Sequence, residues 1–85
     1  MDSINCLSSI KPGERAVVKK LTADGSIRRR LLDIGLVDGT QVECIGKSPC
    51  GDPAAYLIRG AVIAIRREDS NCVLVHKWRE GETWD

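Results

Sequence analysis

The chain has 85 residues, 42% hydrophobic and 29% charged, the balance of one ordinary globular domain with no surplus for a second. Thirteen basic and twelve acidic side chains leave a net charge of +1, which excludes a long-range field drawing the whole protein to nucleic acid or anionic lipid. The N-terminus carries Asp2 where a signal peptide needs a cation, and no apolar run approaches membrane-spanning length, so a cytoplasmic chain without membrane insertion is expected. There is no Phe, and Tyr56, Trp78 and Trp84 are the only aromatics. A core of Val, Ile, Leu and Ala suits a small barrel with little interior room.

In chain order, Cys6–Ile10 is a short apolar segment that ends at Lys11-Pro12-Gly13-Glu14, where Pro then Gly fits the centre of a type II turn. Arg15–Leu21 reads as a strand, and Thr22–Ser26 breaks it. Asp24 or Ser26 is placed to cap the helix that follows. Within that helix Ile27, Leu31 and Ile34 fall in one sector, as one buried face requires, and Gly35 is placed to end it. Asp38-Gly39 turns the chain into a half-buried strand, Thr40–Lys47, where alternation begins.

Ser48–Pro53 is a loop stiffened by two prolines, and a strand over 54–59 returns from it. The uninterrupted apolar run Ala61–Ile65 predicts a strand buried on both faces or lying in a barrel wall. Residues 66–71 form a charged turn, residues 72–75 a last strand, and the rest a polar tail. The expected fold is therefore mainly β, with one or two short helices: a small, partly open barrel of about five strands, with a helix between the first and second. The domain is expected over residues 1–76, with a Trp-containing tail over 77–85.

Leu7, Pro12-Gly13-Glu14, the run from Arg30 to Leu36, Gly39-Thr40, Gly51-Asp52-Pro53, Ile65-Arg66 and Val73-Leu74-Val75 together resemble the FeoA family, small cytosolic components of bacterial ferrous-iron uptake. The resemblance spans about residues 7–75. It implies an SH3-like barrel with no enzymatic activity, supporting the FeoB membrane transporter by binding it or its cytosolic GTPase domain and modulating GTPase activity or assembly. Two departures stand out. Cys50 replaces the family's usual apolar residue, and the tail from His76 to Asp85 has no evident counterpart. A metal-responsive regulatory or peptide-binding module of the same fold is the alternative reading, with a small nucleic-acid-binding barrel behind it.

The residues agree that catalysis is not expected. The single imidazole, His76, lies beside the tail, and the chain has no phosphate-binding loop of the Gly-x-x-x-x-Gly-Lys kind. The four cysteines form no close pair of the zinc-knuckle type, and Cys44 and Cys72 fall at apolar strand positions, as buried thiols do. No cofactor is certain. Weak binding of ferrous iron or another transition metal would draw on Cys50, Asp52 and His76, with Glu80 or Glu82 of the tail as further donors.

Arg28-Arg29-Arg30 admits a docking role. Leu32 points away from the Ile27-Leu31-Ile34 sector and lies next in azimuth to Arg28, so the outer helix face presents a leucine rimmed by cations. Arg28, Arg29 and Leu32 are the partner-binding candidates. Trp78 is expected to pack back on the barrel and Trp84 to remain outside it, while exposed edge strands leave self-association open.

Overall fold

A computed structural model describes residues 4–78. Six strands, β1 (Ile4–Cys6), β2 (Arg15–Leu21), β3 (Gln41–Lys47), β4 (Ala54–Ile58), β5 (Ala61–Ile65) and β6 (Val73–Lys77), form one antiparallel sheet in the order β1-β6-β2-β3-β4-β5. A helix, α1 (Gly25–Ile34), joins β2 to β3, and a single helical turn, α2 (Arg67–Ser70), joins β5 to β6. The sheet is not closed, because β1 and β5 are both edges. It nevertheless wraps one core: Leu7 and Ile10, inward residues of β2, β3, β4, β5 and β6, and Leu31 and Leu36 from the helix and its exit form a single apolar cluster.

The mainly β, open-barrel expectation holds, with three differences. β1 is an added strand, only three residues long, and Leu7–Ser9 after it is a 3-10 turn. An element that short has no periodicity to read. The charged turn after β5 contains α2, whose first amide, Arg67 N–H, is taken by the Asp52 carboxylate at 2.9 Å. The third difference is burial.

Of the two placements expected for β5, burial on both faces is not found: the strand is part of the sheet wall, with Ala61, Val62 and Ala64 exposed and only Ile65 buried. Among the described residues it lies at the sheet edge with β4 as its one neighbour. An apolar run records tolerance for burial, not the presence of a second neighbour. The α1 face is narrower than its periodicity predicts for the same kind of reason: Leu31 is buried and Ile34 packs on the core, but Ile27, one turn earlier, is 36% exposed.

Two buried titratable groups sit in the core. Burial pushes the Cys44 thiol above its usual 9.0, partly offset by Lys47, and burial likewise pushes the Tyr56 phenol above 10.0, with Cys44 adding to the rise. The Tyr56 hydroxyl donates to the Leu7 carbonyl oxygen at 3.4 Å, tying the N-terminal turn to β4.

Candidate functional site

The site begins with an irregularity in β2. Ala16 and Val18 point into the core, and strict alternation would send Lys20 after them. One extra residue between Val18 and Lys20 shifts the register against β6, pairing Val18 with Val75 and Lys20 with Leu74. Leu21 is thereby the inward residue, and Lys19 and Lys20 are both exposed. A bulge of this kind re-aims side chains at a sheet surface.

The helix supplies the other wall, and its exit is closely specified. Gly35 has φ +110°, the left-handed region that favours glycine. Its N–H donates to the Leu32 carbonyl at 3.0 Å, and the Leu36 N–H donates to Leu31 at 3.1 Å. This is the paired closure that satisfies the last helical carbonyls, with Leu31 and Leu36 buried together beneath it. The buried Thr40 hydroxyl donates to the Gly35 carbonyl at 2.9 Å and anchors the exit to the start of β3. At the other end, Asp24 occupies the capping position with extended backbone, but neither it nor Ser26 accepts the expected hydrogen bond from a first-turn amide. The helix is held by its C-terminal half.

With Leu31 fixed inward, Leu32 turns outward and stands one turn from Arg28. Leu32 and Val37, 38% and 37% exposed, line a groove of about 240 Å³ between α1 and β2, with buried Leu36 beneath. Lys19, Lys20 and Arg28 flank it, and Asp38 stands at its edge. Three cations elsewhere in the chain are held by carboxylates. Arg30 reaches both oxygens of Asp69 at 2.9 and 3.0 Å, Arg15 meets Glu43 at 3.3 Å and Lys77 meets Glu14 at 3.9 Å. Among the described residues, Lys19, Lys20 and Arg28 have no such carboxylate.

Of the partner-binding candidates, then, Arg28 and Leu32 share the groove, while Arg29 is exposed outside it. Lys19, Lys20 and Val37 were missed. Their signal was legible: two lysines between inward Val18 and apolar Leu21 break the alternation in the way a bulge does.

The metal candidates occupy different places. Cys50 is exposed in the β3–β4 loop. Asp52, in the same loop, is committed to Arg67 N–H, while Ser48 Oγ donates to Asp52 O at 2.8 Å and accepts from Asp52 N–H at 3.1 Å. His76 lies on β6, opposite Ile4 and Val17. Among the described residues no three His, Cys, Asp or Glu side chains come together in a way that could hold a metal ion. Glu80, Glu82 and Trp84 lie outside the described residues, whereas Trp78 is half-buried and its backbone N–H donates to the Arg15 carbonyl oxygen at 2.8 Å.

The FeoA domain family model matches residues 5–77. The chain belongs to the FeoA domain family. Because the match runs to 77, His76 and Lys77 are part of the family's domain, and the stretch without an evident counterpart begins after them. The Fe(2+) transport protein A/Fe(2+) transporter FeoB fusion protein of Porphyromonas gingivalis is 33% identical over 64 residues, 75% of this chain but only 8% of that protein. The FeoA-like protein of Clostridium acetobutylicum has TM-score 0.86 and 27% identity, over 99% of this chain and 98% of its own. The zinc-complexed FeoA of Stenotrophomonas maltophilia, an SH3 domain protein, has TM-score 0.73 and 30% identity, over 82% of this chain and 87% of its own. The fold of this FeoA domain is accordingly SH3-like. Among its described residues no helix is long and apolar enough to cross a membrane.

Proposed function

We propose that this chain is a non-catalytic accessory of ferrous-iron uptake that docks from the cytoplasm on FeoB, or on its GTPase domain, and modulates GTPase activity or assembly. The observation that carries this reading is the fusion relative, in which a match to this chain and FeoB share one polypeptide. Covalent linkage raises the effective concentration of one module at the other, which benefits modules that act on each other. The docking face is the outer side of α1: Leu32 as a half-exposed apolar anchor, with Arg28 beside it and Arg29 at the rim.

The test is binding of the full chain to full-length FeoB and to its cytosolic GTPase region, with and without guanine nucleotide and ferrous ion. Saturable binding that weakens about tenfold or more with Arg28→Glu or Leu32→Ser supports the reading, a change of about 1.4 kcal/mol. Binding to neither form, with both proteins folded, overturns it.

The zinc-complexed relative favours a second property, weak binding of a transition metal. In this chain Cys50 with Asp52, or His76, would supply the donors. Anaerobic calorimetry with ferrous ion tests it: identical heats for wild type, Cys50→Ser and His76→Gln would remove these residues from consideration.

A further inference from the structure

The geometry points to a specific chemistry for whatever fills the groove between α1 and β2: a short peptide segment of the partner that carries carboxylates flanking one or two apolar side chains. This rests on the docking reading above and narrows it. The groove, at about 240 Å³, falls below the range of about 300–1,000 Å³ usual for small-molecule pockets. It has room for side-chain anchors, and Leu32 and Val37 offer them an apolar floor already partly shielded from water. Burying such anchors is where a small interface gains affinity.

Charge supplies the rest. Three cations against one carboxylate, Asp38, surround the groove of a protein whose net charge is only +1. They come from two elements, Lys19 and Lys20 from the bulged strand and Arg28 from the helix, so they flank an occupant from opposite sides. None of the three is engaged by a carboxylate among the described residues, whereas Arg15, Arg30 and Lys77 are. An incoming Asp or Glu would therefore meet cations that give up no internal ion pair. Such rim contacts set encounter rate and register more than raw affinity.

Nucleic acid fits less well. Among the described residues no aromatic side chain lines the groove to stack a base, and phosphates would leave Leu32 and Val37 without a partner. An anionic membrane presents charge without an anchor shaped for a concave site. An acidic peptide with apolar side chains uses every part.

The experiment uses fluorescein-labelled 15-residue peptides spanning the cytosolic portions of FeoB from the same organism, titrated with the full chain and read by anisotropy. Each acidic peptide is repeated with Asp and Glu replaced by Asn and Gln. Peptides combining carboxylates with Leu, Ile or Phe should bind, and amidation should weaken them about tenfold, as should Lys19→Glu with Lys20→Glu. Replacing the peptide carboxylates by lysine should recover binding to that charge-reversed chain. Circular dichroism and thermal melts confirm that the exposed substitutions leave the fold intact.

Two results overturn the inference in different ways. Binding of FeoB that ignores Lys19→Glu with Lys20→Glu rejects the groove chemistry and leaves the accessory reading standing. Binding of neither FeoB nor its peptides rejects both. Stronger, lysine-dependent binding to a single-stranded RNA 20-mer or to phosphatidylglycerol vesicles would reject a peptide as the occupant.

Discussion

The Ser48–Pro53 loop and the helix α1 both carry chemistry-bearing side chains, and they use them in opposite ways. In the loop, the Asp52 carboxylate holds the first amide of α2, Ser48 Oγ bonds both ends of Asp52, and Arg67 Nη2 donates to Gly51 O at 3.4 Å. On the outward side of α1, Arg28 and Leu32 make no comparable internal commitment among the described residues, and Lys19 and Lys20 across the groove match them. A polar group whose hydrogen bonds are satisfied within the fold gains little by meeting a partner. One left in water, beside exposed apolar surface, has binding energy still available.

The sharpest way to break this comparison is at adjacent residues. Leu31 is fully buried and Leu32 is 38% exposed. Leu31→Ala should cost about 3 kcal/mol of unfolding free energy in urea denaturation. Gly35→Ala should cost about 1–2 kcal/mol, because the position has φ +110° and the new Cβ would stand 3.2 Å from Arg59 Cδ. Its effect on partner binding should exceed its effect on the loop, since it loosens the exit that aims Leu32.

Asp52→Ala should cost about 1 kcal/mol, the usual loss when a helix's first amides lose their acceptor. Asp52→Asn, which keeps an oxygen there, should cost less, and neither should alter FeoB binding. The smallest effect on stability belongs to Leu32→Ser, under about 0.5 kcal/mol for a surface position, combined with the largest effect on binding. A loss of several kcal/mol instead would make Leu32 part of the core and dissolve the contrast.

Alkali separates the regions a further way. Tyr56, which lines a cleft with Gly51 and Arg67, and nearby Cys44 are both held neutral by burial, with pKa values raised above 10.0 and 9.0. Groups with raised folded pKa contribute fully below their unfolded values, so stability should be flat through neutral pH. It should then fall from about pH 9 upward as the unfolded chain ionises first. Tyr56→Phe should flatten part of that decline, measured as the change in urea midpoint between pH 7 and about pH 10.5.

Much of this was legible beforehand, for identifiable reasons. Gly35, Gly13 and Gly39 all have positive φ, and each stands where turn chemistry placed it. Five of the six strands followed from β-branched runs between Gly and Pro breaks. β1 was missed because three residues contain no period, and the exposure of β5 because strand order is a property of the whole sheet. The two lysines, Lys19 and Lys20, break the alternation of β2 in the sequence, but the groove they flank with Val37 exists only once a one-residue register shift in β2 sets them beside α1, which begins four residues after that strand ends.

The exposed edge strand has a bearing on solubility. Ala61-Val62-Ile63-Ala64-Ile65 has no charge and no proline, the composition that invites two copies to zip together. Antiparallel pairing of two such strands about Ile63 would set Arg59 against Arg67 and Gly60 against Arg66. The arginines that close the hairpin before β5 and open the turn after it are thus gatekeepers, repelling their own counterparts in the register that would bury the most apolar surface.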